Sequence, residues 1–311
     1  MYSGSITDIS GIDVGHAENH DAGTGCTVIL CEKGAVAGVD VRGSAPGTRE
    51  TDLIRPGNLV DKIHAVMLSG GSAFGLAAAD GAMEYLEQNG IGFDVGVTKV
   101  PVVASAVLFD LYYKNWKIRP DRQMGYKACL NVRSDFVEQG SVGAGTGATI
   151  GKIMGIKYSM KGGIGTASLR ISNEVIVGAI VAVNSFGDCL NPATGEIIAG
   201  AKDPYTGEFL CTKSYMLSNG SSKTVSFENT TIGVVATNAR LTKEQANKIA
   251  SMAHDGLARS ISPVHTMLDG DTIFVMATGD TDAELNTLGV AAVEVVARAV
   301  VNAVKHASNA R

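Results

Sequence analysis

The stretch Glu228-Asn229-Thr230-Thr231-Ile232-Gly233-Val234-Val235-Ala236 places a hydroxyl residue at the mouth of an apolar, β-branched run, directly behind an asparagine. The run reads as a buried strand. If the Asn229-Thr230 bond were cut, Thr230 would carry a hydroxyl and a free α-amine, and an N-terminal amine can serve as the base that activates its own hydroxyl. Downstream, Asp269 and Asp271 flank Gly270 ahead of a second apolar strand over 272–277. Carboxylates at alternate positions of an extended segment can share one of its sides. Both features also have plain readings. Asn-Thr can be a turn leading into a strand, and Asp-Gly-Asp a hairpin turn, while the remaining ligands of a calcium loop are absent.

Working outward from this centre, the capping-box pattern at Thr242 and Gln245 starts a helix that runs to about 259. A second helix, rich in alanine and valine, is expected over 282–305, so the last third reads strand, helix, strand, helix. Residues 175–183 are small and β-branched, interrupted only by Gly178, and predict a strand buried on both faces that ends at Asn184. Further strands are expected at 26–30, 35–41 and 63–68. A helix is expected over 72–88, with apolar Phe74, Ala78, Met83 and Leu86 at helical spacing and Gly90 as its stop. Turn residues punctuate 191–228, whose latter part reads as an exposed loop leading into the cleavage bond. Strands and helices do not alternate regularly, which favours an α/β (α+β) layered sandwich over a doubly wound parallel sheet.

Composition narrows the function classes. Among 311 residues, 31 acidic and 26 basic side chains give a net charge of −5, which argues against a nucleic-acid-binding surface. The 38 glycines and 5% aromatics imply many close backbone approaches. Five cysteines without a CxxC pair suggest neither a disulfide framework nor a zinc site, and fit reduced thiols. The N-terminus lacks the features of a signal peptide, and no uninterrupted apolar run approaches twenty residues, so a soluble, cytoplasmic protein is expected. No metal or organic cofactor is implied.

The glycine motifs are weak when taken singly. The segment Gly140-Ser-Val-Gly-Ala-Gly-Thr-Gly-Ala-Thr-Ile-Gly-Lys152 fails the P-loop pattern at Thr146 and Ile153, and meets the dinucleotide fingerprint only in relaxed form. It reads as a close backbone approach to an active centre with Lys152 at its edge, where a lysine can stabilise developing negative charge. Ser72 lies in a near miss to the nucleophile elbow, since Phe74 stands where the second glycine belongs. It is expected as an N-cap lining a pocket. The scattered histidines, among them His254 and His265, assemble no triad from the sequence and read as structural.

Taken together the motifs are more specific. Val14-Gly-His-Ala17, Gly23-Thr-Gly-Cys-Thr27, Ala45-Pro-Gly-Thr-Arg-Glu-Thr-Asp-Leu53, Ser69-Gly-Gly-Ser-Ala-Phe-Gly75, Val142-Gly-Ala-Gly-Thr-Gly-Ala148, Asn229-Thr-Thr231 and Asp269-Gly-Asp271 cover most of the chain in order. They resemble the L-aminopeptidase/D-esterase family of self-processing N-terminal-nucleophile hydrolases, and within it the branch that hydrolyses 6-aminohexanoate (nylon) oligomers. The resemblance implies a four-layer αββα sandwich and self-cleavage between Asn229 and Thr230. It further implies a large fragment 1–229 and a small fragment 230–311 that stay together as one folded domain. It makes Thr230 the nucleophile, has Asp269 and Asp271 orient its amine and hydroxyl, and adds Lys152 and Asn184 to the centre, Asn184 as oxyanion donor. It implies a small amide or peptide substrate and a homotetramer. Where the aminopeptidase branch has Ser and Glu, this chain has Asp269 and Asp271, and 101–110 lacks that branch's tyrosine, which favours amidase specificity. The alternatives are an aminopeptidase/D-esterase acting on short peptides, an acyltransferase resembling the ornithine acetyltransferases, and an uncleaved glycine-rich binding protein.

Overall fold

The apolar runs at 26–30 and 35–41 are two halves of one strand. Glu32 and Lys33 are exposed at an irregularity in pairing between Leu30 and Ala35, and the chain bends there instead of turning back. In the computed structural model, which describes residues 1–171, 174–219 and 229–309, nine strands form the main sheet. They are β1 (Asp13–Asn19), β2 (Thr24–Val41), β3 (Thr48–Arg49), β4 (Lys62–Ser69), β5 (Val103–Val107), β6 (Gly163–Arg170), β7 (Ile176–Asn184), β8 (Thr230–Ala239) and β9 (Thr272–Thr281). The first half of β2 pairs with β1 and β4, and β4 continues to β5 and β3. Its second half pairs with β9, which continues through β8 and β7 to β6. The bend in β2 therefore divides the sheet into two faces that pack on each other.

Alternation along the strands shows where each layer lies. Ile29, Val66, Leu68, Ala104 and Ala106 of one half meet Ile180, Ala182, Ile232, Val234, Phe274 and Met276 of the other in a core between the sheets. The alternate residues Val28, Leu30, Ala65, Met67 and Val103 face outward under helices α1 (Ala78–Gln88) and α2 (Arg122–Leu130). On the far side, Val177, Val181, Val235, Ile273 and Val275 face outward under α3 (Lys243–Ser260) and α4 (Leu285–Asn309). The order helix, sheet, sheet, helix is the expected four-layer αββα sandwich. Strand β7 sends side chains into two of these cores, as its unbroken apolar run predicts.

The last third reads as expected, with α3 crossing over between the parallel strands β8 and β9. Thr242 accepts from the amide of Gln245, whose side chain accepts from the amide of Thr242. Helix α4 begins and ends a few residues later than 282–305. Its segment Leu285–Ala307 has the length and hydropathy of a membrane span, although Glu294 and Arg298 interrupt the apolar run. It lies over β6, β7 and α3 as a mostly buried core helix. Gly165 of β6 permits this contact, because a Cβ there would strike the backbone of Ala299 and Ala303.

Two expectations are corrected. The helix over 72–88 begins as a 3₁₀ segment, Ser72–Ala77, and becomes α-helical only from Ala78. Ser72 is not its N-cap: Gly71 holds that position in the left-handed region, and Phe74 is exposed beneath the Arg119 guanidinium instead of facing the core. The segment from 191 carries more structure than its punctuation suggests. Ile197–Ala199 joins Asp188–Leu190 and Ile261–Ser262 in a small second sheet, and Thr212–Asn219 is helical. The loop expected just before the cleavage bond, 220–228, lies outside the described residues.

Candidate active site

Strand pairing brings the distant motifs together. Thr230 opens β8, and its antiparallel partner across to β7 is Asn184, the last residue of that strand. On the other side Ile232 pairs in parallel with Thr272, so two residues earlier Thr230 comes beside Gly270. Even-numbered residues of β7, β8 and β9 face the space between the sheets, and odd-numbered residues face α3 and α4. Asn184 and Thr230 thus share the inner side at one end of the sandwich, and Asp271 is directed toward α3. All six residues expected from the sequence, Lys152, Asn184, Asn229, Thr230, Asp269 and Asp271, are buried.

The backbone amide of Gly270 donates to Thr230 Oγ1 at 3.2 Å, and the Thr230 hydroxyl donates to the carbonyl oxygen of Asn229. The hydroxyl is therefore held against the peptide bond expected to break. Asp271 Oδ1 accepts from the amide of Thr231 at 2.7 Å, which fastens the strand just behind that bond. Its Oδ2 accepts from the amide of His265 at 3.1 Å and from His265 Nδ1 at 2.8 Å. Asp269 Oδ2 accepts from the amide and the hydroxyl of Thr266, at 2.8 and 2.6 Å.

Lys152 is a buried residue of the centre and not the solvated lysine its loop position allows. Its Nζ donates to the side-chain and main-chain oxygens of Asn184, at 2.9 and 3.2 Å. The amide of Thr149 also donates to Asn184 Oδ1, at 2.9 Å. With Oδ1 taken by these donors, the Asn184 amide orientation is set, and Nδ2 donates to the carbonyl of Phe109 at 2.9 Å. The glycine-rich segment thereby delivers both Thr149 and Lys152 to the asparagine.

Electrostatics separates Asp269 from ordinary surface acids. Burial, joined by the charge of Asp271, pushes the Asp269 carboxyl up to about 6 against the hydrogen bonds from Thr266 and the charge of Lys152. Burial holds His254 down to about 4, and its ring lies edge-on to His265 with centroids 4.9 Å apart. In these two rings His254 Nδ1 and His265 Nε2 are buried with no hydrogen-bond partner among the described residues.

A cavity of ≈ 240 Å³ opens on Thr230 and Asn229, walled by Ala45, Pro46, Ser72, Val107, Phe109 and others. Ser72 does line this pocket, as expected. Cavities of ≈ 460 and ≈ 640 Å³ elsewhere are lined by none of the six residues, so chemistry and not size identifies the site. The sequence reading had not found the roles of His265, Thr266 and Gly270. One signal was present: Thr266 stands three residues before Asp269, the hydroxyl-x-x-acid spacing of a local hydroxyl-carboxylate turn.

The model of Peptidase family S58 matches residues 4–311. An uncharacterized aminopeptidase of Mycobacterium tuberculosis is 43% identical over 336 aligned positions, covering 97% of this chain and 94% of its own. A 6-aminohexanoate-oligomer endohydrolase of a Kocuria strain is 30% identical over 278 positions, covering 88% of this chain and 75% of its own. Among solved structures, the L-aminopeptidase D-Ala-esterase/amidase of Ochrobactrum anthropi, described as a variant of the Ntn hydrolase fold, aligns with a TM-score of 0.73 at 22% identity, covering 97% of this chain and 86% of that one. A β-aminopeptidase of a Burkholderia species aligns with a TM-score of 0.69 at 23% identity over 96% of this chain and 85% of its own. Both structural matches bear on the fold, which is the Ntn hydrolase type.

Proposed function

The chain belongs to Peptidase family S58 and is a hydrolase of peptide or amide bonds, and from that premise we propose that it cuts itself at Asn229-Thr230 and then works through Thr230. One observation supports this most strongly: the Thr230 hydroxyl is fixed between the Gly270 amide and the Asn229 carbonyl, with Asn184 opposite in register. The first stage is an attack of Oγ1 on the carbonyl carbon of Asn229. The C–N bond breaks, the hydroxyl proton passes to the departing amine, and an ester joins Asn229 to Oγ1. Water then cleaves the ester, leaving a carboxylate on Asn229 and a free amine on Thr230.

In the second stage the new amine takes the hydroxyl proton as Oγ1 attacks a substrate amide, and the leaving amine departs protonated. Water hydrolyses the acyl-enzyme. Asn184 Nδ2 is the donor assigned to the oxyanion, with Lys152 holding the asparagine from behind. Asp271, bonded to the neighbouring Thr231 amide, and Asp269 of the same turn are assigned to orient the amine that processing exposes. Both products remain in one body in this reading, because β8 of the small fragment is flanked by β7 of the large one. The assembly is proposed as a cytoplasmic homotetramer.

For substrate we propose linear amides, 6-aminohexanoate oligomers among them. The acidic pair at 269 and 271 supports this choice. A second reading, removal of residues from the N-termini of short peptides, is supported by the 43% identity to a mycobacterial protein named as an aminopeptidase. Family membership removes the reading as a glycine-rich binding protein. The deciding experiment incubates processed enzyme with 6-aminohexanoate oligomers, with aminoacyl p-nitroanilides, and with an acyl ester plus ornithine. Oligomer hydrolysis supports the amidase; release only from the anilides favours the aminopeptidase; N-acyl ornithine in place of the free acid makes it an acyltransferase.

A further inference from the structure

Neighbouring residues grip the two carboxylates in the same way. His265 gives its amide and its ring Nδ1 to one oxygen of Asp271, and Thr266 gives its amide and its hydroxyl to one oxygen of Asp269. Each acid is thus bound twice through Oδ2, and Asp271 keeps Oδ1 for the amide of Thr231. His265 makes this grip with φ 56, a left-handed conformation that non-glycine residues hold only where their surroundings over-determine it. Its partner assigns one ring nitrogen: Nδ1 faces a carboxylate, which can only accept, and so donates to it. His254 likewise gives Nε2 to the carbonyl of Asp40.

We propose that His265 and Thr266 are positioning residues, a clamp that keeps Asp271 directed along β8 and sets the orientation of Asp269 for the reaction proposed above, on which this inference rests. Hydrogen bonds to the ionised form favour it, so the clamp opposes the cost of placing two carboxylates side by side in a buried turn. The other groups facing this turn are fixed in place. His254 projects from α3, and Asp40 is next to last in β2 with Arg42 paired to it and to Asp255. The amide of Arg42 donates to the main-chain oxygen of Asp271, and the charge of Lys152 acts on Asp269.

The test follows self-cleavage of the full chain by intact mass after cell-free synthesis, across pH, for wild type, His265→Gly, His265→Asn, Thr266→Val and Thr266→Ser. Glycine suits the left-handed backbone but lacks the ring; asparagine tolerates that backbone and supplies a side-chain donor. Loss of a hydrogen bond to a charged group predicts cleavage slowed roughly ten- to hundredfold in His265→Gly and Thr266→Val. The acid limb of Thr266→Val moves to higher pH, because the Asp269 carboxylate stripped of that donor takes up its proton more readily. His265→Asn and Thr266→Ser stay within a few-fold of wild type with the limb unmoved. Circular dichroism and thermal melting identify the folded variants. A folded His265→Gly with the wild-type rate overturns the clamp and leaves the self-processing reading intact, as does equal impairment of His265→Asn and His265→Gly. Cleavage at the same bond in a Thr230→Ala control overturns the nucleophile, and the clamp with it.

Discussion

Replacing Gly270 by alanine tests the site through sterics alone. A Cβ at this position would stand 2.7 Å from the carbonyl oxygen of Ala45, 2.9 Å from Thr230 Oγ1 and 3.2 Å from Pro46 Cα. The first two separations are shorter than real Cβ contacts, and ordinary contact begins near 3.4 Å. Either the nucleophile or the turn must therefore retreat by about half an ångström. Catalytic geometries tolerate displacements of roughly 0.5 Å, and a misplacement of about 1 Å can cost on the order of a hundredfold, so self-cleavage should slow about ten- to hundredfold. Overpacking of this kind also costs about 1–3 kcal/mol of stability. The assay is the fraction of intact chain against time by mass spectrometry, with urea unfolding alongside. A Gly270→Ala chain that is stable and cleaves at the wild-type rate refutes the placement of Thr230 against the Asp-Gly-Asp turn.

Other perturbations have defined outcomes. Because the Asp269 carboxyl is raised from 3.8 to about 6, the native state keeps a proton that the unfolded chain has lost in this range. This contribution to stability is complete below about pH 4 and is lost as pH rises through 6, on the order of 2–3 kcal/mol. Urea unfolding of Asp269→Asn across pH should lack that fall, while the similar one from Asp110, also raised to about 6 by burial, persists. Lys152→Met removes a donor from Asn184 and the positive charge opposing the shift of Asp269. Self-cleavage should slow at least tenfold and its acid limb should move above pH 6 in a pH–rate profile. Phe274→Ala, at the fully buried centre of the inter-sheet core, should lower unfolding free energy by about 3–5 kcal/mol in urea without displacing the cleavage site.

The parts of the fold visible in the sequence are those whose signal is local. The capping box at Thr242 and the apolar runs of β7, β8 and β9 each satisfy a short-range rule, and each forms where expected. Continuity of β2 was not visible, because Glu32-Lys33-Gly34 has the composition of a turn and only the pairing with β4 and β9 makes it a bend. Phe74 fits a helical stripe, yet the close approach of Gly70 to Gly75 forces a tight 3₁₀ start that turns it outward to Arg119. In the site, Thr230, Asp269, Asp271 and Lys152 stand out from their local sequence, and the resemblance of motifs assigns their roles and adds Asn184. What brings them together is strand register across nearly 120 residues of chain, a property that no window of sequence contains. His265 is illegible for a related reason, since a histidine with a backbone amide as its second donor leaves no spacing pattern.

The most direct measurement of the central claim is intact mass and N-terminal sequencing of the purified protein beside a Thr230→Ala variant. The account predicts that the wild type yields fragments 1–229 and 230–311, the second beginning Thr230-Thr231-Ile232, and that the variant stays whole. A wild-type chain that remains intact after prolonged incubation while hydrolysing amides, or a variant cut at the same bond, would contradict it.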